Sequence, residues 1–181
     1  MKVLATRRLM LRAWEQTDAD FLFSLESLPE TVRYLGSEAR VMASLEEAQA
    51  SIVRRRAVDA PGQGIWAIEI RGSGELAGNL LCKPVGTPGI DGAETIEIGW
   101  HLHPDAQGRG YAVEAAQAVI DYAHSRGITT LSAFVDPLNN ASIKVCERLG
   151  MASQGLSEEV YGQSMLCFQH TKDLSSGKEI A

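Results

Sequence analysis

Between Gly110 and Arg126 the chain carries its clearest periodic signal, and that signal limits what can be built around it. Ala112, Ala115, Ala116, Val119, Ile120 and Ala123 recur at alternating spacings of three and one, so they form one stripe at helical period. Gly127 supplies the residue that ends such a helix. The segment before it, Pro104-Asp105-Ala106-Gln107-Gly108-Arg109-Gly110-Tyr111-Ala112, lies between a strand pattern and the helix. The first turn of a helix carries unpaired N–H groups, and the helix dipole adds partial positive charge there. Gly108 and Gly110 lack a Cβ, so backbone can approach an anion closely and adopt dihedrals costly for other residues. Together these features predict a binding site for a phosphorylated cofactor, to which Arg109 offers a cation.

A dinucleotide-binding loop is the rival reading, since Gly108-Arg109-Gly110 begins like GxGxxG. Val113 occupies the place of the third glycine. The segment also follows several strands of antiparallel character, whereas a dinucleotide fingerprint opens its first βαβ unit. Asp136, at the end of the next strand, is the one feature a nicotinamide-dependent oxidoreductase would use.

Around this core the pattern is mixed. Arg8 to Ala13 alternates as a half-buried strand. Thr17 offers an N-cap for a helix running to about Leu28, and Pro29 to Gly36 reads as a short connection. Ser44-Leu45-Glu46-Glu47 is a capping box heading a second helix. Ile65–Ile70 and Leu76–Val85 form a hairpin around Arg71-Gly72-Ser73-Gly74. A Gly/Pro loop from Gly86 to Gly92 leads to a central strand over Thr95–Leu102. After the striped helix come a strand at Leu131–Val135, a helix at Ala141–Leu149 and a final strand pair near 152–160 and 163–171. The expected order is β-α-α-β-β-β-α-β-α-β-β in one mixed α/β domain covering residues 1–181, with 174–181 as a frayed tail.

Composition narrows the partners. The formal charge of −6 argues against nucleic acid and leans toward a cationic acceptor such as an amine. Cys82, Cys146 and Cys167 have no CxxC spacing and suit a reduced compartment. No stretch reaches about 20 apolar residues, so no membrane span is expected, and the reading is cytoplasmic.

Gln107-Gly108-Arg109-Gly110-Tyr111-Ala112 matches Q/R-x-x-G-x-G/A, and by it the chain resembles the GNAT acetyltransferase superfamily. Thr6-Arg7-Arg8-Leu9-Met10-Leu11-Arg12 is similar to the T-x-R-L-x-L-R opening of the branch that holds RimJ/RimL-type ribosomal-protein N-terminal acetyltransferases. Glu97-Ile98-Gly99-Trp100 resembles that branch's E-I-G-[YW] strand, and Asn139-Asn140-Ala141-Ser142 its N-x-x-S helix start. Gly150-Met151 stands where the family has G-F. The resemblance implies the acyl-CoA N-acyltransferase fold: a mostly antiparallel sheet splayed between its fourth and fifth strands, flanked by about four helices. It implies acetyl-CoA as co-substrate, with backbone near Trp100 and Leu102 on the pantetheine arm. Amides from Gln107 to Ala112 would hold the pyrophosphate, and Asn139 would approach from the next helix. Homodimers are common in this branch, so pairing is a further expectation, with no surface marked for it.

Acetyl transfer to an amine needs a neutral nitrogen, a polarised thioester and a proton for the departing thiolate. A lysine-like amine of pKa ~10.4 is about 0.1% neutral near pH 7.4, a cost of roughly 4 kcal/mol, against under about 1 kcal/mol for an α-amine. The resemblance puts Glu97 beside the thioester as the general base, with Glu158 of Glu158-x-x-x-Gly162 as the alternative. Many family members place a tyrosine as proton donor where this chain has Cys146, and the resemblance to the RimL-like branch implies Ser142, which matches the serine assigned that role there. The acceptor is a protein N-terminus or a small-molecule amine. His101 and His103 form an HxH without further ligands nearby, so no metal is expected. Trp14, Trp66 and Trp100 read as core or pocket wall, and Arg54-Arg55-Arg56 as a solvated face. A non-catalytic acyl-CoA-binding domain is the rival within the same fold, resting on Cys146.

Overall fold

The computed structural model describes residues 1–35, 40–88, 94–158 and 163–173. In chain order its elements are β1 (Leu4–Ala5), β2 (Leu9–Ala13), α1 (Ala19–Glu26), α2 (Pro29–Val32) and α3 (Leu45–Arg56). There follow β3 (Gly64–Ile70), β4 (Leu76–Pro88), β5 (Glu94–Leu102), α4 (Tyr111–Ser125), β6 (Thr130–Val135), α5 (Asn140–Arg148), β7 (Ala152–Ser157) and β8 (Met165–Thr171). The strands make one eight-stranded sheet ordered β1-β2-β3-β4-β5-β6-β8-β7. Every neighbouring pair is antiparallel except β5 and β6, which run parallel.

That exception shapes the molecule. β5 is paired along its length with β4, from Gly78↔Leu102 to Pro88↔Glu94, but with β6 its register is confined to Glu97↔Ser132. Toward Leu102 the two strands part, giving the splay expected between the strands that the sequence counts as fourth and fifth. Gly78 makes the close β4–β5 approach workable at the open end: a Cβ there would lie 2.3 Å from the His101 carbonyl oxygen.

Each face of the sheet has its own core. The apolar stripe of α4 behaves as its spacing predicts: Ala115, Ala116, Val119, Ile120 and Ala123 are fully buried against Leu9, Leu11, Ile68, Leu80 and Ile98. α5 joins that face through Cys146 and Leu149. On the other face Leu22 of α1 and Ala48 and Ile52 of α3 pack on Trp14, Ile65 and Ala67.

Several local expectations change. The first helix does not start from a Thr17 cap. A short 3-10 turn at Gln16–Asp18 precedes α1, and the Asp18 carboxylate accepts the Glu15 N–H at 2.8 Å while pairing with Arg12 at 2.7 Å. The segment read as a plain connection contains α2, because Pro29 needs no N–H at a first helical position. At α3, Ser44 Oγ accepts from the Glu47 N–H as expected, but Glu47 reaches back to the Ala43 N–H. β4 runs through Pro88, beyond its expected end at Val85, with an irregular register between Pro84 and Pro88; a proline cannot donate to the ladder. The short β1 was not anticipated, and the helices among the described residues number five, counting the one-turn α2. The tail 174–181 lies outside the described residues.

Candidate active site

The splay opens a cleft of about 1030 Å³ that runs through the sheet from the α4 side to the α1–α3 side. At one end stands the α4 terminus. Gly108 and Gly110 sit at φ 73° and 77°, in the left-handed region, and no side chain caps the helix at Gly110. The N–H groups of the first turn are thus left for a ligand. The N-terminal Thr-x-Arg segment braces this loop through Glu114. The Glu114 carboxylate accepts from Thr6 Oγ1 at 2.6 Å, from the Arg8 N–H at 2.8 Å and from Arg8 Nε at 2.6 Å. Arg8 also donates to the Arg109 carbonyl at 2.9 Å and lies 4.9 Å over the Tyr111 ring. The Arg109 side chain is exposed and does not line the cleft, whereas Gln107, Gly108, Gly110, Tyr111 and Ala112 do. Gln107 donates to the Leu102 carbonyl at 3.2 Å, tying loop to strand.

Along β5 alternate residues divide the work. Ile98 is buried in the α4-side core and Trp100 packs against it. Glu97, Gly99 and His101 fall on the opposite face, each in register with a β4 residue that also lines the cleft: Lys83, Leu81 and Asn79. Glu97 is not the solvated strand residue that alternation alone allows. It is 6% exposed, at the point where β5 and β6 part.

At the head of α5 Asn139 is the N-cap: its Oδ1 accepts the Ser142 N–H at 3.1 Å. Ser142 lines the cleft and is half-buried. Cys146 is fully buried one turn on, outside the cleft lining, and burial pushes its thiol up to about 12. Glu158 is exposed just beyond β7, and Gly162 of its pattern lies outside the described residues.

The cleft also holds a cluster that sequence reasoning missed. Glu26 Oε1 accepts from Arg55 at 2.5 Å and lies 2.9 Å from His101 Nε2. Arg55 further donates to Asn79 at 2.5 Å and to Ser51 at 3.2 Å, and Asn79 accepts from Trp14 Nε1 at 3.1 Å. Burial alone would raise the Glu26 pKa, but His101 and Arg55 outweigh it and bring the carboxyl down to about 2. The arginine run is a solvated face only in part: Arg54 and Arg56 are exposed, Arg56 donating to the Trp14 carbonyl at 2.8 Å, whereas Arg55 is mostly buried. The HxH pair diverges, His101 to Glu26 and His103 to the Asp105 N–H. No group of three or more metal-ligating side chains occurs among the described residues. Strand alternation puts His101 on the Glu97 face. Its partners come from α1 and α3, and no local spacing signals them.

A splayed sheet with an uncapped, glycine-bearing helix terminus in the gap defines the CoA-dependent acyltransferases as a class, and the free first-turn amides fit the anionic end of that co-substrate. The chain belongs to the GNAT acetyltransferase family: the family model described as the acetyltransferase (GNAT) domain matches residues 8–152. It is 30% identical over 164 residues to the uncharacterized N-acetyltransferase YoaA of Bacillus subtilis, spanning 90% of this chain and 89% of that one. It is likewise 30% identical to the uncharacterized N-acetyltransferase p20 of Bacillus licheniformis, over 86% of this chain and 85% of that one. The fold is shared with RimJ of Mycobacterium smegmatis, solved with a CoA disulfide, at TM-score 0.78 and 18% identity over 98% and 90% of the two chains. It is shared also with RimL, the ribosomal L7/L12 α-N-protein acetyltransferase solved with CoA, at TM-score 0.74 and 20% identity over 95% and 99%. The protein is thus an acetyl-CoA-dependent acetyltransferase, and a nicotinamide-dependent oxidoreductase is set aside.

Proposed function

We propose that the protein is an N-acetyltransferase in which a primary amine attacks the acetyl-CoA thioester directly, with Glu97 as general base and Ser142 as donor to the departing thiolate. The observation that carries this reading is the seat of Glu97: buried, at the vertex of the splay, in the same cleft as the α4 terminus and Ser142. A carboxylate there can take a proton directly or through one water. The Ser142 hydroxyl remains free to donate, because Asn139 caps the helix through the Ser142 backbone N–H. Cys146 has neither the position nor the acidity for that role, being buried outside the lining with its thiol near 12.

The co-substrate supplies an activated acyl group; the chain's own residues hold and orient it. Amides from Gln107 to Ala112 take the pyrophosphate in this reading, and the β5 backbone at Trp100 and Leu102, freed from β6 by the splay, takes the pantetheine. Asn139 contributes through its amide N–H, since its oxygen is engaged in capping. The first acceptors to consider are α-amines, which ask less of the base than a lysine-like amine at neutral pH. Screening free N-terminal peptides against polyamines and aminoglycosides, with acetyl-CoA binding and CoA release both measured, tests the reading. Glu97→Gln and Ser142→Ala are expected to keep acetyl-CoA binding and lose most CoA release. Acetyl-CoA binding by the parent protein without release on any amine contradicts the amine-acceptor reading.

A further inference from the structure

The cations around the cleft are not alike. Arg55 is committed to Glu26, and Arg40 pairs with Glu47 at 2.6 Å. Arg54, Lys144 and Arg148 are exposed at the rim. Lys83 differs from all of these. It is half-buried, lines the cleft, and has no ion-pair partner among the described residues. It lies directly across the β4–β5 ladder from Glu97, with its side chain on the same face. Opposed residues in such a pair have Cβ atoms about 5 Å apart. Lys83 and Glu97 thus set a cation and a carboxylate side by side on the cleft wall, a pair of charges that matches a carboxylate and an ammonium carried on one molecule.

We propose that the acceptor carries a carboxylate next to its amine, an α-amino acid in the simplest case, and that Lys83 binds the carboxylate while Glu97 receives the proton of the amine. This rests on the reading of Glu97 as base. The spacing suits it: in an α-amino acid one carbon separates ammonium from carboxylate, so both charges meet the two opposed side chains at once. Leu81 and Gly99, the next pair along the ladder, give a low apolar floor beside them. In the reaction the ammonium gives one proton to Glu97 and thence to solvent. The nitrogen forms its bond to the acetyl carbon, the carbon–sulfur bond breaks, and the second nitrogen proton leaves with the CoA thiol. The carboxylate is untouched and stays on Lys83. A peptide N-terminus or an amino-acid amide has the less basic amine, but it presents a neutral carbonyl at that place and gains nothing from the lysine.

The test is calorimetric binding of the free L-amino acids, and of the same amino acids as primary amides, to the CoA-saturated protein, with CoA release from acetyl-CoA followed in parallel. At least one free amino acid is expected to bind roughly tenfold or more tightly than its amide, the range of a hydrogen bond to a charged group. Lys83→Met, or Lys83→Gln if the first variant does not fold, should erase that difference by weakening the free acid alone; Lys83→Arg should keep it. Amides binding as well as acids, a Lys83→Met loss that falls equally on both, or no binding of either kind overturns the proposal. Glu97→Gln separates it from the reading beneath it. A wild-type rate of CoA release in that variant removes Glu97 as base, while the acid-over-amide preference still reports on Lys83.

Discussion

Glu114 and Gly110 show what single residues contribute to the cofactor end. A residue other than glycine in the left-handed region is strained by about 1 kcal/mol or more, and open space around the Cβ does not relieve it. Gly110, at φ 77°, has only Arg8 Nη2 within 4 Å of a built Cβ, at 3.5 Å. Gly110→Ala is therefore expected to lower stability by about 1 kcal/mol in denaturant unfolding and to weaken CoA binding, through backbone strain and without a clash. Glu114 gathers donors from Thr6 and from both backbone and side chain of Arg8, which then grips Arg109. Glu114→Ala frees that arginine and is expected to raise the CoA dissociation constant about tenfold, measured by calorimetry, with the sheet core intact. The glycines were legible because their backbone need is local. The meaning of Thr6 and Arg8 was legible only as a resemblance, since their common partner lies more than 100 positions away.

At the scale of elements, α5 is the most informative. Its start is fixed by Asn139, and replacing this cap with alanine is expected to cost about 1 kcal/mol of stability. Because the cap also positions Ser142, Asn139→Ala should lower the rate of CoA release more than its stability loss explains; thermal melts and steady-state rates on the same preparation check this. The periodic elements were readable: α4 from its stripe, α3 from Ser44, β5 from its alternation. Elements held by their surroundings were not. β1 is two residues long and exists as an edge on β2. The single turn of α2 depends on Pro29 more than on any apolar period. Alternation along β5 puts Glu97 and His101 on one face, but it cannot distinguish solvent from the buried face that α1 and α3 create.

The whole molecule is tied together by the polar cluster that joins α1, α3, β4 and β5 through Glu26, Arg55, Asn79 and His101. Removing one member leaves a mostly buried charge uncompensated, so Glu26→Gln is expected to destabilise the fold by roughly 3 kcal/mol at neutral pH. The Glu26 carboxyl drops from 4.5 to about 2 on folding, so it adds stability above its unfolded value. That contribution is lost as pH falls from about 4.5 toward 2. His170 gives an earlier loss: burial and the neighbouring His124, 2.9 Å away, hold its pKa below 6.5. The unfolded chain takes up that proton first, so stability falls as pH drops below about 6.5. Melting temperature against pH should thus decline in two steps, with the lower one shallower in Glu26→Gln, where the lowered carboxyls of Glu46, Glu47 and Glu114 remain.

The central claim concerns Glu97, and amine-dependent CoA release by wild-type protein and Glu97→Gln, both saturated with acetyl-CoA, tests it most directly. The account predicts equal acetyl-CoA affinity and a rate lower by roughly a hundredfold in the variant. A variant that binds acetyl-CoA equally and releases CoA at the wild-type rate would contradict it.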